Sequence, residues 1–198
     1  MQSDLNVPDR FQISAEKQLL RAKLRARLEA LPEEYIRVSR IKAGENVLAM
    51  PEFRRAKSVF TYVSTEKEPD TLALIKTGLA EGKRIYVPKI RGKGLMDAVE
   101  IRSLCELSEG AFGLQEPEDG AAVRKSEIEL AIIPCLSVTV RGERLGHGGG
   151  FYDRFFADAQ ISGIILCSER MLSEKLPLSP FDVRFGTVVT EERVIRIF

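Results

Sequence analysis

The sequence predicts a single three-layer αβα domain built on a mostly parallel, Rossmann-like sheet. Three observations carry this expectation. From residue 58 onward, short apolar runs alternate with segments of helical periodicity, the pattern of strands joined by crossover helices. The chain has 198 residues, 44% of them hydrophobic, with no composition shift or internal repeat to divide it. A glycine-rich stretch lies between an apolar strand and a helix, and parallel sheets bind ligands at the carboxyl ends of their strands.

Residues 1–13, with Pro8, read as a flexible lead, and the domain is expected over 14–198. Ser14 is placed to cap a first helix whose Leu20, Leu24, Leu28 and Leu31 share one face until Pro32. Lys17, Arg21 and Arg25 follow at four-residue spacing on another face of that helix. A second helix is expected over 33–43, with Pro51 before a short turn. Ser58–Ser64 reads as a strand, Asp70 to Glu81 as a helix capped by Asp70 and stopped at Gly82, and Arg84–Lys89 as the strand completing a βαβ unit. Met96–Arg102, Glu129–Leu136, Gly163–Cys167, Gly186–Thr190 and Val194–Ile197 are further strands, with room for antiparallel pairing at the edges. A helix is expected from Phe151 to Gln160. Gly110–Gly120, with Pro117, reads as loop.

The inventory removes whole classes of chemistry. Thirty Lys+Arg against 29 Asp+Glu leave a net charge of +1, too little for the whole molecule to hold polyanions, so any anion site is local. A single histidine, His147, excludes multi-histidine metal sites. Cys105, Cys135 and Cys167 form no CxxC and read as reduced thiols, the latter two in core strands, in a cytoplasmic protein. The N-terminal residues lack the pattern of a secretory signal, and no apolar run approaches the ~20 residues of a membrane span.

Arg144-Leu145-Gly146-His147-Gly148-Gly149-Gly150-Phe151-Tyr152-Asp153-Arg154 is the most informative stretch. Its glycines let backbone N–H groups approach a phosphate, with Gly149 expected at positive φ, and the helix that follows adds a partial positive charge. The same glycines would also suit a plain loop or a tight helix start. No Walker A motif occurs. A dinucleotide fingerprint read from Gly146 fails at its sixth position, Phe151, and about ten polar residues separate the strand from the glycines, although Glu169 stands where a ribose-binding acid would be expected.

This motif, after Ile132-Ile133-Pro134-Cys135-Leu136, resembles the signature of the 5-formyltetrahydrofolate cyclo-ligase family, also called methenyltetrahydrofolate synthetases. Lys17-x-x-x-Arg21, Glu68-Pro69-Asp70-Thr71, Gly82-Lys83-Arg84 with Val87-Pro88-Lys89, Gly113-Leu114-Gln115-Glu116-Pro117 and Thr190-Glu191 resemble further family elements in order, across about residues 17–191. The resemblance implies ATP-dependent cyclisation of 5-formyltetrahydrofolate to 5,10-methenyltetrahydrofolate, with ADP and phosphate released. ATP would be held by Lys17, Arg21, Arg144, Leu145, Gly146, His147, Gly148, Gly149, Gly150, Phe151 and Tyr152. The folate would be held by Glu68 together with His147, Gly148, Gly149, Gly150, Phe151 and Tyr152. Mg²⁺ would be held by Asp153 and Asp182, and no protein nucleophile is implied.

The sequence departs from the family pattern near the C-terminus: Ser179 and Phe181 stand where an acid and a polar residue or histidine are usual, Gly186 replaces an aspartate and Met171 a glutamine. Phe181 is expected to shield the metal site. The partners expected are a reduced folate and ATP, without nucleic acid or membrane, and the chain is expected to act as a monomer. One competing reading is a diverged nucleotide-binding homologue with another ligand or a regulatory role. Another is a nucleic-acid module using the five basic residues of Lys17–Arg27, which lack interleaved aromatics.

Overall fold

A computed structural model describes residues 10–197. Its helices are α1 (Arg10–Glu29), α2 (Glu33–Ala49), α3 (Pro51–Arg55), α4 (Leu72–Ala80) and α5 (Phe151–Phe156). Its main sheet contains β1 (Ser58–Thr61), β2 (Arg84–Gly92), β3 (Leu95–Ile101), β6 (Leu130–Pro134), β9 (Ser162–Leu166), β10 (Thr187–Val189) and β11 (Val194–Arg196). Two small ribbons complete it, β4 (Leu107–Glu109) with β5 (Gln115–Pro117), and β7 (Ser137–Val138) with β8 (Arg144–Leu145).

The sheet order is β11-β10-β9-β6-β1-β2-β3. The five inner strands are parallel, and β3 and β11 pair antiparallel at the two edges. From β1 the chain builds outward to β2 on one side and later to β6 on the other. Strand order therefore reverses between β1 and β6, which opens a crevice beyond their carboxyl ends.

Alternation along the strands separates two cores. Phe60, Tyr86, Ala131, Ile133, Ile165 and Val188 pack with Leu24 of α1 and Phe155 and Phe156 of α5. Their neighbours Val59, Ile85, Ile132, Ile164 and Val189 pack with Val47 of α2, Phe53 of α3 and Leu74 and Ile75 of α4. Strands apolar on both faces must be covered twice, hence the three layers.

Several boundaries differ from the sequence expectations. Helix α1 starts at Arg10, so Ser14 lies inside it, and residues 10–13 join the domain; residues 1–9 of the expected lead lie outside the described residues. Helix α2 continues six residues past 43, through Gly44, and Pro51 starts the short helix α3. Strand β1 stops at Thr61, because the Tyr62 carbonyl accepts from Thr71 Oγ1 at 2.6 Å and Ser64 N–H donates to that hydroxyl at 3.0 Å. Asp70 caps α4 from one residue further out, Leu72 N–H donating to Oδ1 at 2.9 Å. Helix α5 ends at Phe156, and the 110–120 loop contributes β5 to a ribbon.

Gly44 allows α2 to lie on the turn that starts α4: a Cβ there would stand 2.6 Å from the Asp70 carbonyl oxygen. Alanine in a helix interior normally stabilises by about 1 kcal/mol relative to glycine. Here backbone against backbone cannot give way, so Gly44→Ala is expected to destabilise by about 1–3 kcal/mol in urea denaturation.

Candidate functional site

The site is built where β1 and β6 end. After Pro134, the β7–β8 ribbon folds the ten-residue connection back on itself: Thr139 N–H donates to Glu143 O and Leu136 N–H to Leu145 O, both at 2.9 Å. Arg144 thereby returns to the end of β6. Its guanidinium is buried, donating through Nη1 to Pro134 O at 3.4 Å and through Nη2 to Asp153 Oδ1 at 2.6 Å, and it lies 5.9 Å from the Tyr152 ring centre. Its Nε has no acceptor among the described residues. The Val183 amide also donates to Asp153 Oδ1, at 3.2 Å, which draws the C-terminal segment in.

Helix α1 closes the site from the other end of the chain. Buried Lys17 donates to both oxygens of Asp182, at 2.6 and 2.5 Å, and the Ser179 amide adds a bond to Oδ2 at 2.7 Å. Arg21 Nε donates to Gly146 O and Arg25 Nη2 to His147 O, each at 2.9 Å. Burial and the charge of Arg25 pull Arg21 below the usual arginine range, against Asp182 and Asp153. The basic face of α1 thus points at the glycine loop.

Within the loop, positive φ falls on Gly148 (+113°) and Gly150 (+67°), not on Gly149. Gly149 is needed for another reason, since a Cβ there would stand 2.5 Å from the Phe151 ring. Leu145 is buried in the core and offers the site only backbone. Arg154 ties the loop to the β2–β3 turn, donating to Gly149 O and, at 2.7 Å, to Gly94 O.

The opposite wall is the loop between β1 and α4. Glu68 Oε2 accepts from Thr65 N–H and Oγ1, both at 2.9 Å, Arg40 donates to the Glu68 carbonyl at 2.7 Å, and Oε1 lies 3.5 Å from His147 Nε2. Burial acts to raise the Glu68 carboxyl, but the hydrogen bonds from His147 and Thr65 outweigh it and hold it below the ordinary value. Half-buried Tyr152 packs edge-on to Phe60 at 6.3 Å, and burial, then the Glu68 charge, push its phenol well up.

One connected network therefore joins Lys17, Arg21, Glu68, Arg144, the glycine loop, Tyr152, Asp153 and Asp182. Among the described residues no cluster of three His, Cys, Asp or Glu is placed to hold a metal. Phe181 is 66% exposed and so does not shield the site, Met171 is buried in the core, and Glu169 is bound to Arg193 and Thr190, away from any ribose-binding role. The sequence reading overlooked Arg25, Arg40, Arg154 and Phe112 as site elements. Arg25 and Arg154 had signals, the α1 spacing and the end of the glycine motif. Phe112 had none: it is 81% exposed, sits at φ +59°, and meets the Phe151 ring edge-on at 6.4 Å.

The profile of the 5-formyltetrahydrofolate cyclo-ligase family matches residues 13–191. The chain belongs to this family. The 5-formyltetrahydrofolate cyclo-ligase of Escherichia coli is 28% identical over 178 residues, covering 86% of this chain and 98% of its own. That of Mycolicibacterium smegmatis is 33% identical over 153 residues, covering 70% and 76%. The NMR structure of Aquifex aeolicus 5,10-methenyltetrahydrofolate synthetase superposes with a TM-score of 0.79 at 30% identity, covering 91% of this chain and 92% of that one. The three-layer fold is therefore the fold of cyclo-ligases, and the switch-point network sits on the motifs that first resembled theirs.

Because the folded state holds Glu68 below its ordinary value, its contribution to stability is complete above the unfolded value of about 4.3 and is lost as pH falls through the lower folded value. Chemical denaturation of the wild type should show a drop below about pH 4.3 that is shallower in Glu68→Gln. Parallel profiles would place Glu68 outside this hydrogen-bonded loop.

Proposed function

We propose that this chain uses ATP to cyclise 5-formyltetrahydrofolate to 5,10-methenyltetrahydrofolate, releasing ADP and phosphate. The observation that carries this is the convergence of Lys17, Arg21 and Arg144 on the glycine loop at the switch point, opposite Glu68. The γ-phosphoryl group passes to the formyl oxygen, N10 of the substrate attacks the activated carbon, and the phosphate departs with that oxygen as the ring closes. Both nucleophiles belong to the substrate. The protein's task is position and charge: cations around the phosphates, loop N–H groups on their oxygens, and Glu68 holding the folate.

Mg²⁺ fits Asp153 better than Asp182. Hydrogen bonds reach Asp153 only at Oδ1 among the described residues, which leaves Oδ2 for a cation completed by ATP oxygens, the usual way Mg²⁺ is held. Both oxygens of Asp182 are engaged by Lys17 and the Ser179 amide. We assign Asp153 to the metal and Asp182 to holding Lys17. When bound, the ion neutralises phosphate charge. Three free cysteines suit a reducing cytoplasm, and no helix among the described residues is long and apolar enough to cross a membrane. We take the functional unit to be a monomer, since all of these residues come from one chain.

Mixing the protein with Mg-ATP and 5-formyltetrahydrofolate should give the absorbance of the methenyl product, dependent on ATP. Nucleotide binding without product would favour a diverged homologue acting on another ligand. Lys17→Ala and Arg21→Ala should each lower kcat/KM for ATP roughly 10- to 150-fold, the loss of one charge-assisted phosphate contact of about 1.5–3 kcal/mol. Asp153→Asn should raise the Mg²⁺ concentration needed for activity, whereas Asp182→Asn should weaken ATP binding at an unchanged Mg²⁺ requirement. A raised requirement in both variants would mean that the two aspartates share the ion.

A further inference from the structure

Cys135 follows Pro134 at the end of β6, and Cys167 follows Leu166 at the end of the adjacent β9. Pro134 pairs with Leu166 in parallel register, so each cysteine directly follows one member of a facing pair, and both pack in the α1–α5 core. Neighbouring strands stand about 4.8 Å apart, within the range of about 4.4–6.8 Å over which a disulfide joins two Cα atoms. Cys135 Sγ leans toward β9, 3.7 Å from the Leu166 carbonyl oxygen. Cys135 is half-buried and Cys167 is buried, so a small reagent meets Cys135 first. Hydrogen bonding between the two thiols, then burial, keep Cys167 protonated well above the ordinary thiol value.

We propose that Cys135 and Cys167 form a redox-modification site, a dithiol that hydrogen peroxide closes to an intramolecular disulfide and that thereby switches off the nucleotide site. Peroxide oxidises the Cys135 thiol to a sulfenic acid with release of water. The Cys167 sulfur then displaces the hydroxyl, the S–S bond forms, and a second water leaves with the thiol proton. The lever is short. The carbonyl of Pro134, next to Cys135, is an acceptor for buried Arg144, and the amide of Leu136, on its other side, bonds to Leu145. Turning the Cys135 side chain into S–S geometry strains the backbone between these two anchors. This consequence rests on the cyclo-ligase reading; the disulfide does not.

The test exposes the intact protein to a small excess of hydrogen peroxide, blocks remaining thiols with N-ethylmaleimide, and maps unreduced peptides by mass spectrometry. The expected result is a linked Cys135–Cys167 peptide pair about 2 Da lighter than its two thiol forms, with Cys105 alkylated. ATP-dependent turnover should fall roughly tenfold or more and return with dithiothreitol. Cys167→Ser should instead accumulate a sulfenic acid on Cys135 that dimedone traps, and Cys105→Ser should close as the wild type does. Absence of the linked pair in the wild type, or linkage through Cys105, overturns the site. A fully linked protein with unchanged turnover overturns the switch. Protein inactive before oxidation would count against the cyclo-ligase reading alone, since the peptide map still decides the dithiol.

Discussion

The buried guanidinium of Arg144 is the constraint around which the site is assembled. A full charge at 5% exposure is tolerable only if partners surround it, because an unpaired buried ion costs several kcal/mol. Its three partners come from two elements: the Pro134 carbonyl ending β6, and the Asp153 carboxylate and Tyr152 ring of α5. Meeting that demand fixes α5 against the end of β6, and the glycine loop is the span between them. Asp153 passes the constraint on, since the Val183 amide it accepts lies beside Asp182, and Asp182 receives Lys17. Three cations and two carboxylates from segments far apart in sequence are thus held in one place.

That local grouping is what would let an almost neutral chain receive a polyanionic nucleotide, as we propose. With a net charge of +1 the molecule as a whole offers little attraction. Apart from Glu68, Lys17, Arg21 and Arg144 outnumber Asp153 and Asp182 in the network, and the burial of Lys17 and Arg144 limits screening by salt. Glu68 stands across the loop with its lone-pair positions shared between Thr65 and His147.

Much of this was legible in the sequence because it rests on short-range patterns. Alternating apolar runs gave the parallel sheet, and the helical spacing of Lys17, Arg21 and Arg25 put three cations on one face. What escaped was set by contacts distant in sequence. Tyr62 and Ser64 leave β1 because Thr71 competes for their backbone groups, which no strand propensity records. The need for glycine at position 149 comes from the Phe151 ring and not from its own φ. The sequence offers Asp182 as a metal ligand, and only the fold shows that Lys17 donates to both of its oxygens.

The departures from the family pattern are instructive for the same reason. Ser179 replaces a usual acid, yet what it gives Asp182 is a backbone N–H, which any residue but proline would supply. Phe181 is exposed, and the carboxylate of its neighbour Asp182 is held by Lys17. Met171 is buried in the α1–α5 core, where its carbonyl accepts from Ser137 at 2.6 Å, and Gly186 accepts the Ile197 amide at the sheet edge. At Ser179, Met171 and Gly186 main-chain bonds or apolar packing fix the position within the fold. The ion pairs of the site thus draw support from the backbone of this segment, through the Ser179 and Val183 amides, and a backbone donor survives any substitution but proline.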